Sequence, residues 1–292
     1  MREIDYISAQ SVSEAAALLN DHGDRARVIA GGTDVIVQVR EGRREIDVLV
    51  DVKEIGELTA IEYSAGSGLR LGAAAPCYQI YGNAEVAEAY PGLIDAVRMI
   101  GSVQIQGRAS VGGNLCNASP AADSICPLIV YSVTCNVQGP NGSRAIAAED
   151  FCTAPGQTAM TQGELLVSLD FPAPKANTGA FYLRFIPRNE MDIAEVGAGA
   201  FVTLDASGAT IESARVALAA VAPKPLYVPE VGDHLAGKTI SDELIQEAAE
   251  IAQNAARPIS DMRGTAEHRK HLVAVLTRRA LNGAIARARE AN

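Results

Sequence analysis

Two glycine-rich stretches decide how this sequence is interpreted: Ala30-Gly31-Gly32-Thr33-Asp34, and the longer Ser110-Val111-Gly112-Gly113-Asn114-Leu115-Cys116-Asn117-Ala118-Ser119-Pro120-Ala121-Ala122-Asp123. Each places a glycine pair after a short β-prone segment and before small polar residues. Residues without a Cβ let backbone N–H groups approach a phosphate closely, and consecutive N–H groups form a concavity that binds anions. A pyrophosphate is the natural ligand of such a pair of loops. Two ordinary turns are the alternative interpretation.

Asp34 stands where a phosphate is expected, and two anions repel. As the N-cap of a helix, however, its carboxylate would point back at backbone N–H groups and leave others free for a ligand. The following stretch, 35–39, is compatible with a strand because of its β-branched residues, and with a helix because Thr33 or Asp34 can cap it.

Composition indicates a folded protein of about two domains, at roughly 100–200 residues per domain. The 292 residues are 48% hydrophobic and 21% charged, and 25 Lys and Arg against 35 Asp and Glu give a formal charge of -10. This balance disfavours nucleic acid or anionic lipid as a partner. Because no signal-peptide core and no long uncharged apolar run is present, we expect a cytoplasmic protein without a transmembrane segment.

Capping and turn signals predict the elements of the N-terminal half. A capping box at 11–14 begins a helix that ends near Gly23, and strands are predicted at 28–30 and 46–52. A hairpin is predicted from 58–63 and 69–73. Pro91 begins a helix that is expected to reach about Gln106, and an irregular, functional loop is expected over 107–123.

The C-terminal half reads as strands followed by helices. Strands are predicted at 133–137, 144–147 and 165–171, a linker at 172–179, strands at 196–204 and 210–221, and helices near 241–255 and 265–288. This order predicts an α+β domain whose helices lie on one face of an antiparallel sheet.

The segment 232–239 matches the GxxxxGK[ST] pattern of the phosphate-binding loop of nucleotide triphosphatases. That loop follows a buried strand, whereas Pro223, Pro225 and Pro229 precede this match and cannot donate to a central sheet. We therefore predict a short helix over 229–235 with Gly237 just beyond its end, and we disfavour a triphosphatase.

Three other groups of residues are interpreted without a catalytic role. The four histidines are scattered, and the five cysteines have spacings that fit neither zinc nor iron–sulfur ligation, so buried free thiols and no metal site are expected. A basic cluster is interpreted first as a solvated helix face and second as a partner contact. Its members are Arg257, Arg263, Arg269, Lys270, Arg278 and Arg279.

Taken together, the two glycine stretches resemble the FAD-binding medium subunit of the molybdenum hydroxylases, the family of xanthine dehydrogenase and aerobic carbon monoxide dehydrogenase. The similarity extends to Arg188-Asn189-Glu190-Met191-Asp192-Ile193-Ala194 and to 258–269, and so covers nearly the whole chain. It implies an α+β fold: a PCMH-like FAD-binding domain over 1–174, with subdomains of about 1–55 and 56–174, and an α+β C-terminal flavoprotein domain over 178–290.

The resemblance also implies which residues contact FAD. The first loop would hold the pyrophosphate through backbone N–H groups and the Thr33 hydroxyl, and the second loop would close on the other side. Asn117 and Asp123 would lie near ribityl or adenosine groups, Leu166 would pack on the flavin or adenine, and Arg184 would approach the isoalloxazine. Residues 188–193 correspond to a mobile loop beside the ring in xanthine dehydrogenase. The implied set is Ile29, Ala30, Gly31, Gly32, Thr33, Asp34, Val35, Ser110, Gly112, Gly113, Asn114, Asn117, Asp123, Leu166, Arg184 and Asp192.

By the same resemblance, the chain is an oxidoreductase subunit that needs no general acid, base or nucleophile of its own. A molybdopterin-binding large subunit and a 2Fe–2S small subunit would supply electrons, which pass to NAD⁺, a quinone or another acceptor. The expected assembly is a dimer of heterotrimers. The alternatives are a scaffold of this fold that has lost FAD and, less favoured, the triphosphatase.

Two departures from the family pattern are visible. Carbon monoxide dehydrogenase flavoproteins tend to have a tyrosine where this chain has Ile193, so the open face of the flavin is not determined. The benzoyl-coenzyme-A reductase branch carries an extra cysteine-bearing insertion for an iron–sulfur cluster, which this chain lacks. FAD is therefore the only cofactor expected here.

Overall fold

The computed structural model describes residues 3–188 and 190–291, and Asn189 of the predicted loop 188–193 lies outside the described residues. Three sheets, each with its own buried side chains, follow one another along the chain. Within the described ranges, no helix is long and apolar enough to cross a membrane.

The first unit is a three-stranded parallel sheet in the order β1-β3-β2. Its strands are β1 (Asp5–Ser8), β2 (Ala26–Ile29) and β3 (Val48–Asp51), and its helices are α1 (Val12–His22), α2 (Val35–Arg40) and α3 (Gly56–Thr59), with a 3-10 turn at Gly23–Arg25. The predicted first helix is confirmed: the Ser11 hydroxyl accepts from the Glu14 N–H at 3.1 Å. The ambiguous stretch after Asp34 is the helix α2.

The second unit is an antiparallel sheet in the order β4-β5-β10-β6-β7, with a separate two-stranded ribbon. Its strands are β4 (Ile61–Ser64), β5 (Gly68–Gly72), β6 (Thr134–Gly139), β7 (Gly142–Ala147), β8 (Cys152–Ala154), β9 (Gln157–Thr158) and β10 (Leu165–Phe171). Its helices are α4 (Cys77–Gly82), α5 (Ala84–Ala89), α6 (Pro91–Val97), α7 (Val103–Gln106), α8 (Val111–Cys116), α9 (Ile125–Val130) and α10 (Ala148–Phe151). In the centre, Leu169 pairs with Leu71 on one side and Cys135 on the other.

Three predictions for this unit differ from the structure. The helix expected from Pro91 to Gln106 is interrupted at Gly101, whose φ of 56° turns the chain, and the Gln106 amide donates to the Arg98 and Ile100 carbonyls at 2.9 and 3.1 Å across the interruption. The segment 107–123 is not wholly irregular, because Ser110 caps α8 within it. The predicted hairpin also begins later than expected, since Leu58 lies in α3.

The third unit has the α+β layout that the sequence predicted, with β11 (Thr178–Phe185), β12 (Val196–Leu204), β13 (Thr210–Ala219) and β14 (Leu226–Tyr227) in sheet order. The remaining elements are α11 (Pro229–Leu235), β15 (Lys238–Thr239), α12 (Asp242–Ala255) and α13 (Ala266–Glu290). α13 packs on β11 and β12, and α12 packs on α13. Gly237, with φ 73°, follows the predicted helix α11. The GxxxxGK[ST] match therefore runs through a helix into an edge strand and is not a phosphate-binding loop.

The second and third units share buried side chains. Ala180, Tyr182, Ala217 and Ala219 of the third unit belong to the same buried apolar cluster as the helices of the second. The second glycine stretch lies next to this shared core, because it connects α7 to α9. Its position therefore depends on both units.

Candidate cofactor-binding site

The first glycine loop presents a run of unpaired backbone donors. It follows β2, which is parallel to β3 and buried at Ile29, and it leads directly into α2. Among the described residues, no protein acceptor takes a hydrogen bond from the N–H groups of residues 30–35. Gly32 has a φ of 76°, and its carbonyl accepts from the Ile36 N–H at 3.2 Å, which fixes the turn. Consecutive N–H groups of this kind form an anion-binding concavity.

The first glycine of each pair lies against the backbone of another segment. A Cβ on Gly31 would lie 2.0 Å from the Arg108 carbonyl oxygen, and one on Gly112 would lie 2.3 Å from the Ala73 carbonyl oxygen. These two glycines therefore allow backbone to pack on backbone, and Gly31 brings the first loop against the start of the second. A Cβ on Gly113 would meet only the Ser110 hydroxyl, at 3.0 Å, and Gly113 is exposed.

Side chains also connect the loops and shape the second one. The Gln38 amide on α2 donates to the Asn117 side-chain oxygen at 3.0 Å, which joins the two stretches across 79 residues of sequence. Ser110 accepts from the Gly113 N–H at 3.0 Å. The Asn114 side-chain oxygen accepts from the Ser124 N–H and hydroxyl at 3.2 and 2.6 Å. The two glycine stretches are therefore joined by a side-chain hydrogen bond, and Gln38 is a connection that sequence reasoning missed.

Asp34 does not cap α2 in the way the sequence predicted. Its backbone is already helical, with φ -106° and ψ -49°, and its carboxylate makes no capping hydrogen bond. The side chain therefore cannot fold back onto the N–H groups, which stay available. Partial withdrawal from solvent raises the pKa of Asp34.

Asp123, the last residue of the second glycine stretch, is buried and accepts hydrogen bonds from two side chains of β11. Its two carboxylate oxygens accept from the Tyr182 hydroxyl at 3.0 Å and from Arg184 Nη1 at 2.5 Å. Burial raises the pKa of Asp123 to about 6, against the opposing effects of the Arg184 charge and of both hydrogen bonds. Arg184 and Asp123 are thus paired with each other, and their contact with FAD stays a prediction.

The last two candidates lie further along the chain. Leu166 is 4% exposed and packs within the buried cluster of the second unit, beside a bulge in the pairing of β10 with β6. Asp192 lies 3.6 Å from Arg188 Nε and 3.9 Å from Arg263 Nε, which brings the loop before β12 to the turn before α13.

The other sequence-predicted groups have mixed outcomes. All five cysteines are free, and four of them are buried as expected, whereas Cys116 is half-buried. His268 and His271 are exposed. Arg269 contradicts the prediction of a solvated basic face, because it is 4% exposed. The sequence could have predicted that Arg269 lies on the buried face of α13, since Leu272 and Val273, three and four residues later, are both apolar.

The fold and the glycine loops together define an α+β protein that binds a nucleotide cofactor, and comparison with known proteins agrees. Residues 2–174 match the family described as "FAD binding domain in molybdopterin dehydrogenase", and residues 181–284 match the "CO dehydrogenase flavoprotein C-terminal domain". This chain belongs to the molybdopterin dehydrogenase family as an FAD-binding medium subunit.

Relatives and solved structures of this family align over almost the full length. The carbon monoxide dehydrogenase medium chain of Afipia carboxidovorans is 32% identical, over 98% of this chain and 98% of its own. The xanthine dehydrogenase FAD-binding subunit of Escherichia coli O157:H7 is 28% identical, over 97% and 96%. A chain of Cu,Mo-CO dehydrogenase has a TM-score of 0.93 at 29% identity, covering 98% of this chain and 99% of that one. A chain of quinoline 2-oxidoreductase from Pseudomonas putida 86 has a TM-score of 0.90 at 27% identity, covering 98% of each chain.

Proposed function

We propose that this chain is the FAD-carrying electron-transfer subunit of a molybdenum-containing hydroxylase or dehydrogenase complex. It would receive electrons from a 2Fe–2S small subunit, supplied by a molybdopterin-binding large subunit, and pass them to NAD⁺, a quinone or another acceptor. The observation that carries the proposal is the run of unpaired N–H groups at residues 30–35, which lies beside the second glycine loop.

These residues fit FAD. A pyrophosphate needs several converging donors without side chains in the way, and residues 30–35 supply donors around the glycine pair. The Thr33 hydroxyl adds a donor to this loop, and the exposed Gly113 leaves open space on the second loop. Bound FAD supplies the redox chemistry, and the protein supplies its position and electrostatics.

The remaining candidates would fix the rest of the cofactor. Asn117, held by Gln38, has its own amide N–H groups to donate toward the ribityl or adenosine part. Arg184 would hold its positive charge near the isoalloxazine, and Asp123 would keep the guanidinium in place. Leu166 would offer an apolar contact, and Asp192 would order the loop before β12 through the two arginines beside it.

A comparison of flavins tests the pyrophosphate assignment. The chain, freed of bound flavin, is titrated with FAD, FMN and riboflavin while flavin fluorescence is followed. We expect FAD to bind at least about a hundredfold more tightly than FMN, since only FAD offers the pyrophosphate to residues 30–35, and several charge-assisted hydrogen bonds exceed the roughly 2.8 kcal/mol needed. Equal affinities for FAD and FMN would contradict the assignment. Absence of all flavin binding would favour the scaffold that has lost FAD.

The place of the chain in a complex is tested separately. Co-expression with its partner genes should yield a complex whose mass corresponds to a dimer of heterotrimers, and reduction of that complex followed by addition of NAD⁺ or a quinone identifies the acceptor. A chain that stays a free monomer in the presence of its partner subunits would contradict the assembly. The domain division into 1–174 and 178–290 and the cytoplasmic location remain predictions.

A further inference from the structure

Arg269 is a buried charge that the proposed cofactor contacts do not use. It lies in the first turn of α13 and is 4% exposed, although the first turn of a helix usually favours acidic side chains. Its Nη1 donates to the Glu195 carbonyl at 2.9 Å and to the Ala220 carbonyl at 3.1 Å, and its Nη2 donates to Asp261 Oδ1 at 2.8 Å. One guanidinium therefore joins three segments that are distant in sequence.

Two of these segments are loops of the third unit. Glu195 immediately precedes β12 and follows the loop that contains Asp192. Asp261 lies in the turn before α13, where the same Oδ1 also accepts from the Arg263 N–H at 2.9 Å. These hydrogen bonds, together with the Arg269 charge, lower the pKa of Asp261, so it stays charged opposite the guanidinium.

The third segment leads to the cofactor site. Ala220 has a φ of 64°, a left-handed conformation that costs free energy for a residue with a Cβ. Its carbonyl accepts from Arg269, and its N–H donates to the Pro120 carbonyl at 2.7 Å. Pro120 lies between Asn117 and Asp123 in the second glycine stretch. Arg269 is thus two hydrogen bonds away from that stretch.

We propose that Arg269 is a positioning residue for the FAD site: it holds Ala220 in its left-handed conformation, and Ala220 in turn holds the segment 117–123 against the cofactor. The proposal rests on the proposed function but does not require Arg269 to touch FAD. Arginine is needed because its planar fork reaches three acceptors at once, whereas the single ammonium of a lysine cannot reproduce that arrangement.

Arg269→Lys, with Arg215→Lys as its matched control, tests this proposal in the full chain. Arg215 also donates to a backbone carbonyl, of Ile129 at 3.1 Å, and to a carboxylate, of Glu149 at 2.9 Å, and among the described residues none of its hydrogen bonds goes to Ala220 or Pro120. FAD affinity is measured by titration well below the melting temperature, and thermal unfolding is measured without FAD. We expect Arg269→Lys to weaken FAD binding at least about tenfold, the equivalent of one lost charge-assisted hydrogen bond. Arg215→Lys should leave the affinity within about twofold of wild type, whatever it does to the melting temperature.

A rescue separates positioning from general destabilisation. Glycine adopts a positive φ without the cost that alanine bears, so Ala220→Gly added to Arg269→Lys should recover part of the lost FAD affinity. Full affinity in Arg269→Lys, or equal losses in both lysine variants, would overturn the proposal, while absence of FAD binding by the wild type would overturn the proposed function instead.

If Arg269→Lys does not fold, Asp261→Asn replaces it, because it removes the charged anchor of the guanidinium but keeps its two carbonyl contacts. A loss of FAD affinity in Asp261→Asn supports the proposal, and unchanged affinity contradicts it.

Discussion

Gly113→Ala is expected to stabilise the protein and weaken its hold on FAD at the same time. Gly113 is the third residue of α8, and a Cβ there meets only the Ser110 hydroxyl, at 3.0 Å. The FAD-free fold therefore accommodates alanine once the Ser110 hydroxyl, the end of a small side chain, shifts by a few tenths of an ångström. Replacing a helical glycine by alanine stabilises a helix by roughly 0.5–1 kcal/mol, since alanine loses less backbone entropy on folding.

Gly113→Ala should weaken FAD binding although it stabilises the FAD-free chain. In the proposed site the open side of Gly113 faces the cofactor, so the new methyl group would occupy space that FAD needs. Inserting a methyl group into a close contact costs about 1–3 kcal/mol, which corresponds to a loss of FAD affinity of about fivefold to 150-fold. Urea unfolding of the FAD-free chain and a fluorescence titration with FAD measure the two effects independently.

Gly82→Ala is the matched control. Gly82 is the last residue of α4 and is exposed, and a Cβ on it would point into open space. This variant should keep wild-type FAD affinity. Gly112→Ala should instead impair folding itself, because its Cβ would lie 2.3 Å from the Ala73 carbonyl oxygen. If Gly113→Ala folds and binds FAD within about twofold of wild type, the cofactor does not approach this side of α8.

Three further outcomes follow from single sites. Gly264→Ala should destabilise the fold by about 1–3 kcal/mol in urea unfolding, because its Cβ would lie 1.7 Å from the Glu195 carboxylate, which is buried and has to move to make room; an unchanged free energy of unfolding would show that Glu195 moves freely. Burial raises the pKa of Asp123 to about 6, so its neutral form stabilises the fold at low pH, and this contribution is lost as pH rises from about 4 through 6. Asp123→Asn should therefore gain up to about 3 kcal/mol relative to wild type between pH 4 and pH 7, and a pH-independent difference would contradict the shift. Burial also raises the pKa of the four buried thiols, so a disulfide reagent at pH 8 should label none of these four before unfolding and all of them in denaturant.

Local signals predicted much of this fold because they act within a few residues. Ser11 and Glu14 predicted the start of α1, and Pro229 and Gly237 predicted the two ends of α11. The interruption near Gly101 was missed because it depends on Gln106 bonding back to two carbonyls, which no local pattern shows.

The site was predictable where it is made of backbone and unpredictable where it is made of distant side chains. The glycine pairs can be read directly, since only glycine allows the approaches seen at Gly31 and Gly112. The partners of Asp123 could not be read, because Tyr182 and Arg184 are 59 and 61 residues away and follow no spacing rule. The predicted N-cap role of Asp34 was wrong for a local reason: the backbone of Asp34 is already helical.

The ion pairs between the second and third units explain why an FAD site can depend on both. In three such pairs the carboxylate comes from the second unit and the arginine from the third, namely Asp95 with Arg287, Asp123 with Arg184 and Glu149 with Arg215. A consistent polarity of this kind favours one docking of the two units over shifted ones, because any shift that brings like charges together is penalised. One of these carboxylates, Asp123, belongs to the second glycine stretch itself. The Asp123–Arg184 contact therefore orients both the third unit and the loop proposed to face FAD, so this one contact and the bound cofactor should stabilise each other.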